Sequence, residues 1–280
     1  MTAPPTYTER AESLGVPLLP DTSHETIQRY VVDRVIAREG GLVHSEGAWW
    51  VPGPIGAWVQ IEADLLWQEV QQLNGVDTLE GAHEDRPGKP IRVSAGMCES
   101  VVALARARCA DVSFFDGARP GFVTPAGIWT CTPSDGWTCT PATPADRQRL
   151  YVDVDPDMST DPTAWLGALS RLWGHEADHA ERVAFLHEWI GSVLLGTATR
   201  YQLAPILLGD GANGKSVLLD VISGLVPASL RCSVTPTDLE TNRFAAVFLV
   251  GRALNCVAEI PGGELMTSAR IKAIIDGSEQ

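Results

Sequence analysis

The chain has 280 residues, a formal net charge of −14 and a hydrophobic content of 45%. This negative net charge argues against a protein that binds nucleic acid over its whole surface, because such a surface must be basic. It does not exclude a ring in which only the pore is basic. No apolar run is long enough to cross a bilayer, and the N-terminus lacks the layout of a signal peptide. We therefore expect a cytoplasmic protein with no membrane partner, whose six cysteines are free thiols.

The first part of the chain predicts a flexible arm followed by a small α+β region. Residues 1–20 are rich in Pro and Thr, which is typical of a poorly ordered terminus. Over 21–110 the pattern predicts a helix that ends at Gly40, then three short strands, then two more helices. Its helices and strands are expected at 21–40, 42–44, 48–51, 58–61, 62–73 and 94–109. The tryptophans of the strands could stack bases, but packing against the next helix is the better interpretation.

Residues 111–196 predict a second region. Many Pro and Gly residues interrupt 111–151, which favours short strands and turns. Asp161-Pro162 is a good helix start, and that helix is expected to run to about Trp173. A further helix is predicted from about His175 to Leu195.

The start of this last helix matches the zinc-protease pattern H-E-x-x-H at His175, Glu176 and His179. On one helix both histidines would share a face and could chelate Zn²⁺. A third ligand is missing at the expected spacing, because Phe185 stands there. A zinc metalloprotease is therefore only a remote alternative, and an exposed polar first turn of the helix is the better interpretation.

The stretch Gly209–Ser216 fits the phosphate-binding pattern G-x-x-x-x-G-K-[ST]. An apolar run at 206–208 predicts a buried strand before it, and 217–225 predicts a helix after it. The glycines allow backbone N–H groups to surround phosphate oxygens, Lys215 would reach the β- and γ-phosphates of ATP, and the Ser216 hydroxyl would ligate Mg²⁺. The residues predicted to bind the nucleotide are Gly209, Asp210, Gly211, Ala212, Asn213, Gly214, Lys215, Ser216 and Val217.

A second strand is predicted over 253–258, and it ends at Glu259. In P-loop ATPases an acid in this position supports Mg²⁺ or polarises the attacking water. Glu259 is therefore the second catalytic candidate beside Lys215 and the second metal candidate beside Ser216. A structural surface carboxylate is the alternative interpretation, and Asp220 and Glu264 are weaker candidates for the same role.

Together, segments 209–216, 254–260 and 271–277 resemble superfamily 3 helicases, in particular the phage and plasmid primase-helicases related to the poxvirus enzyme. The resemblance implies an α/β fold in which residues 197–280 form a P-loop NTPase domain, AAA+-like, with a parallel sheet. The smaller α+β region would precede it, and 111–196 would correspond to the domain before the ATPase. The third segment has the form Lys-x-x-x-x-Gly, which implies that Lys272 contacts DNA.

The resemblance further implies an ATP-dependent DNA helicase that replicates a mobile element. Its partners would be single-stranded DNA, further copies of itself in a hexameric ring, and a primase or other replication protein. The family's later motifs, a sensor Asn and an arginine finger, are not present by Gln280. We therefore expect a chain shortened at its C-terminus. The alternative is a nucleotide-binding, non-catalytic regulator of a full-length ring.

Overall fold

The computed structural model describes residues 18–83, 86–209, 214–260 and 269–276. It is a mixed α/β structure with small sheets and two compact units. Of the described residues, those up to Gly53 and those within Val59–Phe114 form the first unit, and Pro54–Trp58 and those from Phe115 onward form the second. Within the described ranges, no helix is long and apolar enough to cross a membrane.

Among its described residues, the first unit contains three helices and, apart from Trp58, a three-stranded sheet in the order β1-β2-β3. Its elements are α1 (His24–Glu39), β1 (Val43–Ser45), β2 (Ala48–Pro52), β3 (Trp58–Ile61), α2 (Asp64–Gln71) and α3 (Ala95–Cys109). Ser23 caps α1 by accepting a hydrogen bond from the Thr26 N–H at 3.2 Å, and Gly40 ends it in the left-handed conformation. The predicted helix boundaries are therefore confirmed by local capping chemistry.

The tryptophans of this sheet belong to the core. Trp49, Trp50 and Trp58 expose only 3%, 2% and 7% of their surface. The indole N–H of Trp50 donates to the Ser45 carbonyl at 3.0 Å, and that of Trp58 donates to the Pro144 carbonyl at 2.8 Å. Rings buried to this extent offer no face on which a base could stack. Packing against the next helix, α2, is confirmed for Trp49, which shares a core cluster with Leu66 of that helix.

A buried carboxylate and a half-buried imidazole shape the first unit. Glu69 is 4% exposed and forms ion pairs with Arg34, at 3.3 Å, and with Arg38. Both arginines come from α1, so the carboxylate joins α2 to α1. His44 lies edge-on to the Trp49 ring, with 5.0 Å between ring centroids, and burial lowers the pKa of this imidazole.

The second unit begins with an antiparallel sheet in the order β4-β5-β6, formed by Phe122–Thr124, Gly127–Thr132 and Gly136–Thr140. The outer edge of β4 is occupied, since the Val123 N–H donates to the Leu150 carbonyl at 2.9 Å and its carbonyl accepts from the Val152 N–H at 2.8 Å. The Gln148 side chain supports this corner, because it bonds four main-chain groups, those of Arg119, Gly121, Arg149 and Leu150.

In the described residues, the remainder of the unit consists of helices, loops and one short parallel pair of strands. Its elements are α4 (Thr163–Trp173), α5 (His179–Leu194), α6 (Lys215–Gly224), β7 (Arg231–Cys232), α7 (Pro236–Thr241), β8 (Leu254–Asn255) and α8 (Ala269–Asp276). Strands β7 and β8 pair in parallel, with Arg231 opposite Leu254 and Cys232 opposite Asn255. Leu218 and Ile222 are the buried residues of α6.

Two strand predictions for this region differ from the structure. Residues 206–208 form no strand, and Leu208 is 78% exposed. The predicted strand over 253–258 is limited to Leu254–Asn255. A strand requires a neighbour for its backbone groups, and residues 203–208 line a cavity instead of pairing with β8. Within the described residues the C-terminal sheet therefore has two strands.

Candidate functional site

Both ends of the glycine-rich loop belong to the described chain. Gly209 has φ of 150° and Gly214 has φ of 86°. Gly214 is the N-terminal cap of α6, in the left-handed conformation that glycine adopts without steric cost. The predicted nucleotide-binding residues Asp210, Gly211, Ala212 and Asn213 lie outside the described residues. The structure therefore describes the two ends of the loop, at Gly209 and at Gly214.

Lys215 is the first residue of α6, and its side chain reaches back to Gly209. Its Nζ donates a hydrogen bond to the Gly209 carbonyl oxygen at 2.8 Å. The two residues are six positions apart, so this contact joins the start of the loop to its end. The ammonium group consequently lies at the same end of α6 as the positive pole of the helix dipole. Positive charge and a helix N-terminus at one point are suited to an anion.

Ser216 and Val217 follow on the first turn of α6, and both are exposed. A hydroxyl in this place offers a hard oxygen ligand of the kind that Mg²⁺ accepts. The donor chemistry of Ser216 therefore fits a magnesium ion held beside a phosphate chain. Among the described residues, no group of three or more His, Cys, Asp or Glu side chains could hold a metal ion.

A cavity of about 450 Å³ adjoins Lys215. Segment 203–208 forms one wall, and α6, the chain after β8 and α8 form others. Most lining side chains are aliphatic; Gln202 and Asn255 are among the polar ones. The Asn255 amide accepts the Val234 N–H at 2.8 Å and donates to the Val234 carbonyl at 3.0 Å, so it continues the pairing of β7 and β8.

Glu259 lies beyond the end of β8 and is exposed. Its neighbours Ala258 and Ile260 line the cavity that Lys215 also lines, whereas Glu259 is not among the lining residues. The structure thus brings the chain around Glu259 to the same cavity as Lys215 without directing the carboxylate into it. Of the weaker acid candidates, Asp220 is exposed on α6, and Glu264 lies outside the described residues.

Lys272 occupies the exposed side of α8, while the neighbouring Ile271 is 4% exposed and packs against Val234 and Leu239. The helix is amphipathic, so its lysine is presented away from the unit's own core. Gly277, which completes the Lys-x-x-x-x-Gly pattern, lies outside the described residues.

The H-E-x-x-H stretch does not form the helix face that a zinc site requires. His175 and Glu176 lie in a turn, and α5 begins only at His179, so the predicted helix start near His175 was wrong. The acids here are used in ion pairs with Arg182, from Asp178 at 2.7 Å and from Glu176 at 3.5 Å. This hydrogen bond to Arg182 lowers the pKa of Asp178, which is the behaviour of a solvated ion pair.

The sequence pattern identified Lys215 but not the group to which it bonds. The Gly209 carbonyl is a main-chain atom, so no side-chain pattern could have indicated it. Asn255 was also missed; its only signal was its place within the predicted strand that precedes Glu259. Comparison with known proteins adds no assignment, since no family model and no curated protein matches the chain.

Proposed function

We propose that this chain binds ATP with Mg²⁺ at the loop between Gly209 and Ser216. The observation that carries the proposal is the position of Lys215, whose ammonium bonds the Gly209 carbonyl at the N-terminus of α6. A phosphate chain is the ligand that suits a glycine-rich turn, a helix N-terminus and a lysine together.

Each residue has a distinct role in this proposal. Lys215 exchanges the neutral Gly209 carbonyl for the charged β- and γ-phosphate oxygens, which form stronger hydrogen bonds. Ser216 holds Mg²⁺ through its hydroxyl, and Mg²⁺ when bound neutralises the charge that develops on the phosphates. Glu259 orients the attacking water. Because the Glu259 carboxylate is exposed and does not line the cavity beside Lys215, we expect it to reach the water only after the segment that follows β8 moves toward the loop.

The wider function that we propose is an ATP-dependent DNA helicase subunit of the superfamily 3 type. It rests on the three segments that resemble this family and on Lys272, which is exposed on α8 and can reach a partner. In this proposal the P-loop fold, the self-assembly into a hexameric ring, the single-stranded DNA and a primase or other replication partner all follow from the resemblance.

The three lysines of the chain provide a matched test. Lys215→Ala should abolish binding of a fluorescent ATP analogue, because it removes the phosphate contact. Lys272→Ala should leave that binding unchanged but lower the stimulation of ATP hydrolysis by single-stranded DNA. Lys89→Ala is the control, since Lys89 forms an exposed ion pair with Glu80 at 3.6 Å in the first unit and should change neither property.

The results separate the two levels of the proposal. Equal ATP binding by the wild type and Lys215→Ala would contradict the nucleotide site itself. Binding that depends on Lys215, without turnover when single-stranded DNA is added, would favour a nucleotide-binding, non-catalytic protein that regulates a full-length ring. The exposed Glu259, beyond a two-stranded sheet, is the observation that favours this second candidate.

A further inference from the structure

The pentapeptide Trp-Thr-Cys-Thr-Pro occurs twice in the chain, at 129–133 and at 137–141. The first copy belongs to β5 and the second to β6. The two copies pair with each other in the antiparallel sheet, where Thr130 lies opposite Thr138. The same tetrapeptide, Trp-Thr-Cys-Thr, therefore forms both sides of one strand pair.

The register makes this pairing symmetric. Trp129 is opposite Cys139, and Cys131 is opposite Trp137, on either side of the central threonine pair. The two central hydroxyl oxygens are 3.1 Å apart. Side chains alternate along strands, so the Trp and Cys residues share one face and the central threonines lie on the other. The sequence Trp-Thr-Cys-Thr is thus complementary to itself in the antiparallel direction.

Strand β6 is at the edge of its sheet, and β5 is its only strand partner among the described residues. Four of its five residues are exposed, and Trp137 is 40% exposed. Natural edge strands are commonly protected by charged residues, proline or a bulge. Gly136–Thr140 contains no Asp, Glu, Lys, Arg or Pro, and Pro141 comes only after the strand ends. The edge is therefore open to a further strand.

The direction of the backbone groups follows from the close approach of β5 and β6. A Cβ built on Gly127 would lie 2.2 Å from the Thr140 carbonyl oxygen, so that oxygen points toward β5. Because backbone groups alternate along an antiparallel strand, those of Thr138 also point toward β5. The N–H and C=O groups of Trp137 and Cys139 point to the open edge.

We propose that β6 pairs with β6 of a second copy of this chain, antiparallel and across a two-fold axis at Thr138. Trp137 of each copy then lies opposite Cys139 of the other, which repeats the pairs already formed between β6 and β5. The outward N–H and C=O groups of these two residues form four intermolecular hydrogen bonds. The result is one continuous six-stranded sheet with an isologous interface.

Charge does not oppose this contact locally, although each copy has a net charge of −14. Asp135, the acid nearest to β6 in sequence, falls opposite Pro141 of the other copy and not opposite another acid. A single short strand buries less than a standard interface, so we expect a weak dimer, which becomes stronger with added salt because salt screens the repulsion between the two acidic copies.

The first test uses two substitutions at one position. Cys139→Pro removes the outward N–H and places a ring at the edge, but leaves the bonds to β5 intact. Cys139→Ser removes only the thiol and keeps the N–H. In sedimentation velocity, the wild type and Cys139→Ser should shift from monomer to dimer with concentration, whereas Cys139→Pro should stay monomeric. A wild type that is monomeric throughout, or a Cys139→Pro variant that dimerises like Cys139→Ser, would overturn the proposal.

The second test does not depend on folding of the proline variant. At the two-fold axis Thr138 faces its own copy in a non-hydrogen-bonded pair, where Cα atoms are about 4.5 Å apart, a separation that a disulfide can span. With Cys131 and Cys139 changed to Ser, Thr138→Cys should form a disulfide-linked dimer on mild oxidation. Thr132→Cys, which changes an exposed threonine of β5 away from the axis, should not. Equal cross-linking of both variants would refute the register.

Discussion

Gly214 provides a sharp test of how the loop is joined to α6. Its φ of 86° would cost an alanine about 1–2 kcal/mol in the left-handed conformation. The new methyl group would also lie 3.1 Å from Leu172 Cδ2, a flexible side-chain end that can move by a few tenths of an ångström. We therefore expect Gly214→Ala to lower the free energy of unfolding by about 1–2 kcal/mol, mainly through backbone strain.

Gly224, at the other end of the same helix, is the matched control. It has no positive φ, and a methyl group there would meet nothing within 4 Å. Gly224→Ala should therefore stabilise the helix by about 0.5 kcal/mol through reduced backbone entropy of the unfolded chain. Hydrogen exchange of peptides that cover α6, measured against urea concentration, follows this helix separately from the first unit. Effects of equal sign for the two variants would refute the geometry at Gly214.

Three further predictions concern the interior of the two units. Changing Arg34 and Arg38 together to Met should destabilise the first unit by about 3 kcal/mol in urea unfolding, because the buried Glu69 then loses both ion-pair partners. Glu69→Met should cost less, since the half-exposed arginines can hydrate. Equal costs for the two variants would contradict this reasoning. Burial lowers the pKa of His44 in the folded protein, so folding favours the neutral imidazole. The free energy of unfolding is therefore unaffected by this group above about pH 6.5, and it decreases as the pH falls from there toward the folded-state pKa. His44→Gln should flatten the dependence of Tm on pH in this window. Gln148→Leu should cost roughly 3 kcal/mol in urea unfolding, because four main-chain groups lose their partner, and a cost below about 1 kcal/mol would show that water replaces the amide.

Much of the first unit could be predicted from the sequence because its signals are local. Ser23 and Gly40 define the ends of α1 through capping and backbone conformation, which depend on a few neighbouring residues. The three strands were predicted from apolar runs between turn residues; the observed bounds of the first two differ by one position, and those of the third agree. The Glu69 ion pairs could not be predicted, because α1 and α2 are brought together only by the fold.

In the second unit, the strands around the loop show where local signals are insufficient. The apolar residues 206–208 have a strand-like composition, but whether they form one depends on a neighbouring strand, which is a long-range condition. The chain after β8 behaves in the same way, with pairing limited to Leu254–Asn255. A short apolar run indicates only that the segment tends to be buried. It does not indicate which segment will pair with its backbone N–H and C=O groups.

By itself, the sequence determined both ends of α1, the glycine-rich stretch that contains Lys215, and the repeated Trp-Thr-Cys-Thr-Pro, since each depends on residues close together in the chain. Only the tertiary structure decided that Lys215 bonds the Gly209 carbonyl, that Glu259 lies exposed beyond β8, and that β6 has an open edge. These are properties of space around a residue. They arise when segments distant in the chain pack together. No local sequence pattern indicates which backbone groups will then lie at a sheet edge or line a cavity.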